Sequence, residues 1–375
     1  MAKLTLYPVG NGDSTLIDFA DKRLMLEDFY NRRDPDDQRD KRIDLAKELR
    51  AALEARDRNE FDVVAFSHSD DDHVGGSEDF FWLEHAEKYQ GDDRPRIKEL
   101  WVPACFITET GLKDSAKAIS DEAKHRLRVR KGIRVFGEPD GLEDWLSDQG
   151  IDPTYCSRLI TSAGQCVPGF TRAKGHAEVF VHSPFSFRME GQDIDRNNAC
   201  LVFHITFFEA DQRTPVMMGA DAEHEAWSSI VYKTEQKKRD ERLDWDVFRI
   251  SHHCSYTALG PDKGRDITKP VEPVSRLFER GGGGCVLVAS SDVIPRTNTK
   301  QRPHRQAAAY YKKVARDKDG DFLVTMQTPD PANPKPIVVE ISKHGPIWLK
   351  ISGVATGASA VVARPSPRQG PAHGK

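Results

Sequence analysis

The stretch FSHSDDDHVGG, residues 66–76, decides how the rest of this sequence is read. Two histidines and three aspartates lie between His68 and His73, after the apolar run DVVAF (62–66) and before Gly75–Gly76. The run has the character of a buried strand, and the glycine pair lets the backbone turn sharply into the next element. A tight loop at a strand's carboxyl end can aim alternating side chains at one point. Imidazole nitrogen and carboxylate oxygen both bind divalent metals, so His68, Asp70, Asp72 and His73 are candidate ligands. A polar loop with an N-capping aspartate is the plainer alternative. It does not account for two histidines five apart with aspartates between them.

The wider composition sets limits. The chain has 375 residues, 38% apolar and 30% charged, enough for one large domain or two smaller ones around a sizeable core. No apolar run approaches the length of a membrane span. The start MAKLTLYPVGNGD lacks a charged-then-apolar signal pattern, so a cytoplasmic location is expected. Cys105, Cys156, Cys166, Cys200, Cys254 and Cys285 form no CxxC pair, which fits free thiols and not a zinc ribbon. A net charge of −4 counts against a broad non-specific DNA surface but leaves room for a local basic groove. The basic runs are KHRLRVRKGIR (124–134), KKRDER (237–242) and RTNTKQRPHR (296–305).

Along the chain, KLTLYPV, STLIDF and RLMLEDF read as short strands separated by turn chemistry. Residues 30–60 are highly charged and then helical, with Ile43, Leu45, Leu49 and Leu53 on one face. A helix is expected over 76–89 and a strand over 97–104. Residues 110–170 read as mostly helical and then irregular. Strands return with EVFVHS, ACLVFHITF, PVMMGA and DVFRIS, the last two separated by a charged helix near 222–240. GCVLVASS, FLVTMQ and PIVVEIS are further strands, and HRQAAAYYKKVAR (304–316) is helical. Two batches of strands with helices between them predict two sheets with helices outside. The tail 353–375, rich in Ala, Gly, Pro and Arg, reads as disordered.

Several motifs, in order, resemble the metallo-β-lactamase superfamily, and within it the ComEC-like hydrolases, similar to the soluble domain of the DNA-uptake protein ComEC. The superfamily signature HxHxDH reads His68-Ser69-Asp70-Asp71-Asp72-His73 here, so Asp70 stands where a second histidine is usual. VGNGDSTLIDF (9–19) resembles the opening strand–Gly-Asp–strand, whose aspartate, here Asp13, lies near the metals in that fold. RNNACLVFHI (196–205) resembles the Asn-Asn-x-Ser strand. MMGADAEHE (217–225) resembles the Gly-Asp motif, with Ala220 inserted before Asp221. FRISHHCSYTA (248–258) resembles the His-His-Gly-Ser motif, with Cys254 in the glycine position. SSDVIPRTNTKQRPH (290–304) resembles the family's Asn…His-Pro segment, with Pro303 before His304. The likeness covers most of residues 3–345. Singly, each piece has a bland reading as a turn or capped loop; it is their joint order at strand ends that carries weight.

The resemblance implies an α/β fold, a four-layer αβ/βα sandwich with metals at one edge between the sheets. A hydrolase domain would span 1–352, with insertions near 30–60 and 105–175. It implies two divalent ions, zinc or manganese, held by His68, Asp70, Asp72, His73, Asp221 and His252, with Asp221 bridging. The His252–His253 pair leaves open which ring binds metal. Asp71 would face away. Asp72 would also orient the nucleophile, and His253 and His304 would bind phosphate or protonate the leaving group. Asn198 takes the place of a third-motif histidine and, with Ser255, Lys300 and Arg302, would contact substrate; His182 is a weaker substitute for that histidine. Arg296 and Arg305 would widen the basic pocket.

The function expected is metal-dependent cleavage of phosphodiesters, with DNA or RNA as substrate and an operon-encoded protein as a conceivable partner. One competing reading is a small-molecule hydrolase acting on a lactone, thioester or cyclic nucleotide, with the inserted segments as a lid. Another is a non-catalytic protein whose metal serves structure, motivated by Ala220 and Cys254.

Overall fold

The structure, a computed structural model, describes residues 1–174, 176–185, 195–350 and 360–361. The tail read as disordered lies outside the described residues except for 360–361.

The strands are β1 (Ala2–Leu6), β2 (Thr15–Asp18), β3 (Leu24–Glu27), β4 (Glu60–Ala65), β5 (Arg96–Pro103), β6 (Ile133–Phe136), β7 (Ile160–Thr161) and β8 (Ala177–Ser183). They continue as β9 (Val202–Glu209), β10 (Gln212–Met218), β11 (Trp245–Ile250), β12 (Gly281–Ala289), β13 (Asp321–Val324), β14 (Ile337–Ser342), β15 (Gly345–Lys350) and β16 (Ala360–Val361). A ten-stranded sheet runs β16-β15-β14-β1-β2-β3-β4-β5-β6-β7, and a six-stranded sheet runs β13-β12-β11-β10-β9-β8. Both are mixed. The first is antiparallel up to β3 and parallel from β3 to β7. In the second, β8-β9-β10 are antiparallel and β10 to β13 are parallel.

Strand residues alternate between two cores, as a period of two requires when both faces are buried. Leu16, Leu24, Leu26 and Val64 join the core beneath the helices Leu45–Glu54 and Asp114–Val129. Their neighbours Ile17, Met25 and Val63 instead meet Val181, Phe203, Ile205, Val247 and Val288 of the other sheet. On the far side, Phe248, Ile250, Leu287 and Ala289 pack against Trp227, Ile230, Leu277 and Tyr311 of the helices His224–Gln236, Glu272–Glu279 and Arg305–Asp317. The two sheets therefore share an apolar interior, and each carries helices on its outer face, as the two batches of strands predict.

The differences from the sequence reading have local causes. Only Ser77–Phe80 of the expected helix at 76–89 is α-helical, followed by a 3-10 turn at Glu87–Tyr89. Phe81 is extended, and the Trp82 amide donates to the Pro95 carbonyl at 2.9 Å. That break lets Phe80, Phe81 and Leu83 all enter the core. Residues 110–170 supply β6 and β7 besides their helices, extending the parallel sheet. The helix Glu272–Glu279 and strand β15 were not anticipated.

Candidate metal centre

The parallel strands of both sheets end at one edge, the position where open α/β sheets place ligands. β4 runs into the 66–76 loop, β10 into Asp221 and β11 into His252–His253, while the turn between β1 and β2 brings Asp13 to the same edge. The ligand loop is fastened to its surroundings by backbone bonds. The amides of Asp13, Phe29, Asn31 and Leu201 donate to the carbonyls of Asp72, His73, Gly75 and Ser67 at 2.9–3.0 Å. Gly12 lies under the Tyr30 ring, where a Cβ would stand 2.2 Å from a ring carbon and 2.9 Å from the Asp72 carbonyl oxygen. No other residue fits this approach.

After Ser67 the chain makes a one-turn helix, Asp71–Val74, that buries His73 completely. Asp70 stands at its N-cap but makes no side-chain capping bond. Behind the loop, Asp28 collects three donors: the Ser67 amide at 2.7 Å, the Ser67 hydroxyl at 2.8 Å and His73 Nδ1 at 2.8 Å. Burial would raise this carboxyl, but His73, Arg249 and these bonds hold it below the usual carboxylate range. With Nδ1 donating to Asp28, His73 Nε2 points forward, 3.1 Å from Asp221 Oδ1. This is the usual way a protein fixes the tautomer of a metal-binding imidazole.

The second histidine source is more strained. His252, His253 and Cys254 have φ of 52°, 48° and 63°, three consecutive left-handed residues without a glycine. Each costs about 1–2 kcal/mol. The turn sends His253 inward, where Nδ1 donates to the Ser290 carbonyl at 2.8 Å. Its Nε2 then lies 3.3 Å from both Asp72 Oδ2 and Asp221 Oδ1. Burial favours the neutral ring, but Asp221 and Asp72 outweigh it and push His253 up to about 10. Ala220, the residue before Asp221, is itself left-handed at φ 42°, and its carbonyl accepts from the His252 amide at 3.0 Å. Ala220 thus forms the bend that ties the two turns together.

Beneath the cluster the inter-sheet core becomes charged. Arg249 shares the parity of Val247 on β11 and reaches across the sheets, 3.0 Å from Asp13, 3.2 Å from Glu27 and 3.8 Å from Asp28. All four side chains are buried. Burial, together with Asp28 and Asp13, raises Glu27 to about 8 despite Arg249.

One donor atom each from Asp13, His73, Asp221 and His253 lies within 4.8 Å of the others, and His68, Asp72 and His73 form a second such group. Among the described residues, His68 Nε2, His73 Nε2, His253 Nε2, Asp13 Oδ1 and Asp221 Oδ1 are buried without a hydrogen-bond partner. One unpaired buried group costs about 1–3 kcal/mol, so five facing one another are explained poorly by packing and well by a cation. The cluster can hold a metal ion, and its mixed nitrogen and oxygen donors are of the type that zinc and manganese accept.

Of the ligands inferred from sequence, His68, Asp72, His73 and Asp221 converge here. Asp70 lies at the margin, with Oδ2 3.6 Å from His68 Nε2 and Oδ1 2.6 Å from Arg196. His252 stands outside both groups. Its Nε2 is 3.7 Å from Asp221 and bonded to Arg302 at 2.7 Å, and its Nδ1 is 3.1 Å from Glu223. His253, read as catalytic, occupies the inner position, together with Asp13. The exposed Asp71 pairs with Arg32 at 2.9 Å and faces away.

The expected substrate residues scatter. Asn198 is committed internally, its amide nitrogen to Asp195 at 2.6 Å and its oxygen to the Ala226 amide at 3.1 Å. Ser255 caps a short turn through Thr257. His304 accepts from the Tyr256 amide at 3.4 Å and donates to the Lys300 carbonyl at 3.3 Å; burial lowers its pKa from the ordinary value. Lys300 is exposed. Arg302 alone of this group touches the cluster, donating to Asp72 Oδ2 at 2.6 Å. His182 bonds the Arg242 carbonyl at 2.9 Å. Asp28, Glu27, Arg249, Glu223 and Arg196 were missed; the acidic pair ending β3 was the signal available for the first two.

No protein-family model matches the chain, and no curated protein matches it. Fold and site together define a mixed α/β protein with a buried Asp/His cluster able to hold a metal ion. No helix among the described residues is long and apolar enough to cross a membrane.

Proposed function

We propose that the protein is a metal-dependent phosphodiester hydrolase, most simply a nuclease, built on a metallo-β-lactamase-type αβ/βα sandwich of the ComEC-like kind. The observation that carries this reading is the convergence of unpartnered imidazole nitrogens and carboxylate oxygens, from both sheets, at one strand-end edge. His73, His253, Asp13 and Asp221 would hold one divalent ion, and His68 and Asp72, with Asp70 at the margin, a second. Zinc or manganese held there would activate water at neutral pH and offer positive charge to a phosphoryl group.

The chain's own groups complete the site. Asp28 and the Ser290 carbonyl fix the His73 and His253 tautomers. Glu223 orients His252 through Nδ1, and His252 Nε2 accepts from Arg302 at the rim, so the ring steadies the guanidinium beside the cluster. Arg302 offers a planar fork that matches a phosphate. Lys300 on the same segment adds an exposed cation along the path of a polyanion.

The test is a panel of single- and double-stranded DNA, RNA and bis-p-nitrophenyl phosphate, run with Mn²⁺ and Zn²⁺. Metal-dependent cleavage that disappears in Asp72→Ala is expected. Turnover of a lactone with every phosphodiester untouched would overturn the proposal.

A further inference from the structure

Arg302 is a cation placed at the mouth of a cation site. Its guanidinium donates to Asp72 Oδ2 at 2.6 Å and to His252 Nε2 at 2.7 Å, and lies 4.0 Å from Asp221 Oδ2. The same Asp72 oxygen is 3.3 Å from His253 Nε2. A guanidinium stays charged at any working pH, so it cannot yield by losing a proton.

The backbone that carries it is anchored on both sides. The Arg302 carbonyl accepts from Asn11 Nδ2 at 3.0 Å, in the turn that delivers Asp13. The His304 amide donates to the Cys254 carbonyl at 3.0 Å, in the turn that delivers His253. The side chain itself is 29% exposed, so its outer face meets solvent while its inner face meets the cluster. A fixed stem and a long rotatable arm allow two positions, one on Asp72 and one turned outward.

We infer that Arg302 is an internal counter-cation that competes with the divalent ion for Asp72 and, once displaced, receives an anionic oxygen of the substrate. This rests on the metal-centre reading above. A divalent ion on Asp72 would stand within a few ångströms of the guanidinium, and like charges at that distance repel strongly in a partly buried site. The displaced fork keeps its bidentate geometry for phosphate. Metal and anion binding are then coupled through one residue. The opposite arrangement, in which Arg302 only orients Asp72 toward the ion, predicts weaker metal binding when the arginine is removed.

The experiment uses the full chain, stripped by chelation, and titrates Mn²⁺ and Zn²⁺ calorimetrically into wild type, Arg302→Ala and Arg302→Gln. Inorganic phosphate is then titrated into each, with and without metal. Thermal melts of the metal-free proteins confirm folding, and the glutamine variant serves if alanine destabilises the segment. Both variants are expected to bind metal at least tenfold more tightly than wild type. Phosphate should bind wild type only when metal is present, and the variants weakly in either state. Equal or weaker metal binding in both variants overturns the competition and leaves the metal centre intact. Undiminished phosphate binding in the variants overturns the receiving role. No metal binding by any of the three proteins overturns the metal centre, and this inference with it.

Discussion

Asp28 touches no proposed ligand atom directly, yet replacing it should cost the site much of its metal affinity. It accepts from the Ser67 amide on one oxygen, and from the Ser67 hydroxyl and His73 Nδ1 on the other, at 2.7–2.8 Å. In Asp28→Asn the new side chain would place an NH₂ group against either the Ser67 amide or His73 Nδ1, whichever way it is turned. The backbone at Asp28 sits at φ 60°, a conformation that asparagine tolerates, so this substitution changes the side chain without straining the turn. Loss of such a carboxylate–histidine contact typically weakens metal binding about 10–100-fold, ~1.4–2.8 kcal/mol. Competition against a chromophoric chelator at pH 7 measures this. Asp71→Asn is the control, since Asp71 is exposed and pairs with Arg32. Affinity in Asp28→Asn within twofold of wild type would refute the orienting role of Asp28.

Two further outcomes follow from strain and burial. Cys254 is fully buried at φ 63°, where only glycine is relaxed, so Cys254→Gly should be more stable than Cys254→Ala by about 1 kcal/mol in urea unfolding, reversing the usual order. His182 is buried, and desolvation pulls it from 6.5 to about 4. Its folded value lies below its unfolded value, so its contribution is present above pH 6.5 and is lost as pH falls toward 4. Wild type should therefore lose about 2–3 kcal/mol more than His182→Phe between pH 7 and 4.5. Equal losses would mean that the ring is not held neutral.

What the sequence showed best was whatever depended on local pattern. The alternation in STLIDF and RLMLEDF places Ile17 and Met25 on one face and Leu16, Leu24 and Leu26 on the other, and the structure buries them in two different cores. The 66–76 loop was legible because its ligands are neighbours in the chain. The rest of the site was harder because it is assembled across sheets. Nothing in DVFRIS marks Arg249 as the partner of Asp13 and Glu27, more than two hundred positions earlier; strand parity points it inward, but only the stacking of the sheets supplies the acids. The choice between His252 and His253 was also closed to sequence. It depends on a left-handed turn that three non-glycine residues adopt against their own preference. Asn198 misled for a similar reason, since a polar residue at a motif position looks the same whether it faces a ligand or caps the helix His224–Gln236.

The excess of carboxylate over imidazole has a consequence for how metal would enter. Asp13, Glu27 and Asp28 crowd one buried guanidinium, Arg249, while Asp72 pairs with the partly exposed Arg302 and Asp221 faces His73 and His253. Without a divalent ion, Arg249, Arg302 and protons on the imidazoles offset these carboxylates only in part. Burial favours neutral imidazole, but Asp221 and Asp28 raise His73 well above its ordinary range, and Asp221 and Asp72 raise His253 to about 10. Metal needs the same Nε2 lone pairs, so binding at neutral pH must expel those protons. Below pH 10 the proton on His253 competes, and apparent affinity should rise about tenfold per pH unit for each proton displaced, flattening as pH approaches that value. Titration calorimetry in buffers of different ionisation enthalpy counts the released protons directly. One to two per bound ion are expected at pH 7.5. Tight binding that releases none would place the ion on carboxylate oxygen alone, and His73 and His253 would then be structural ion-pair partners and not ligands.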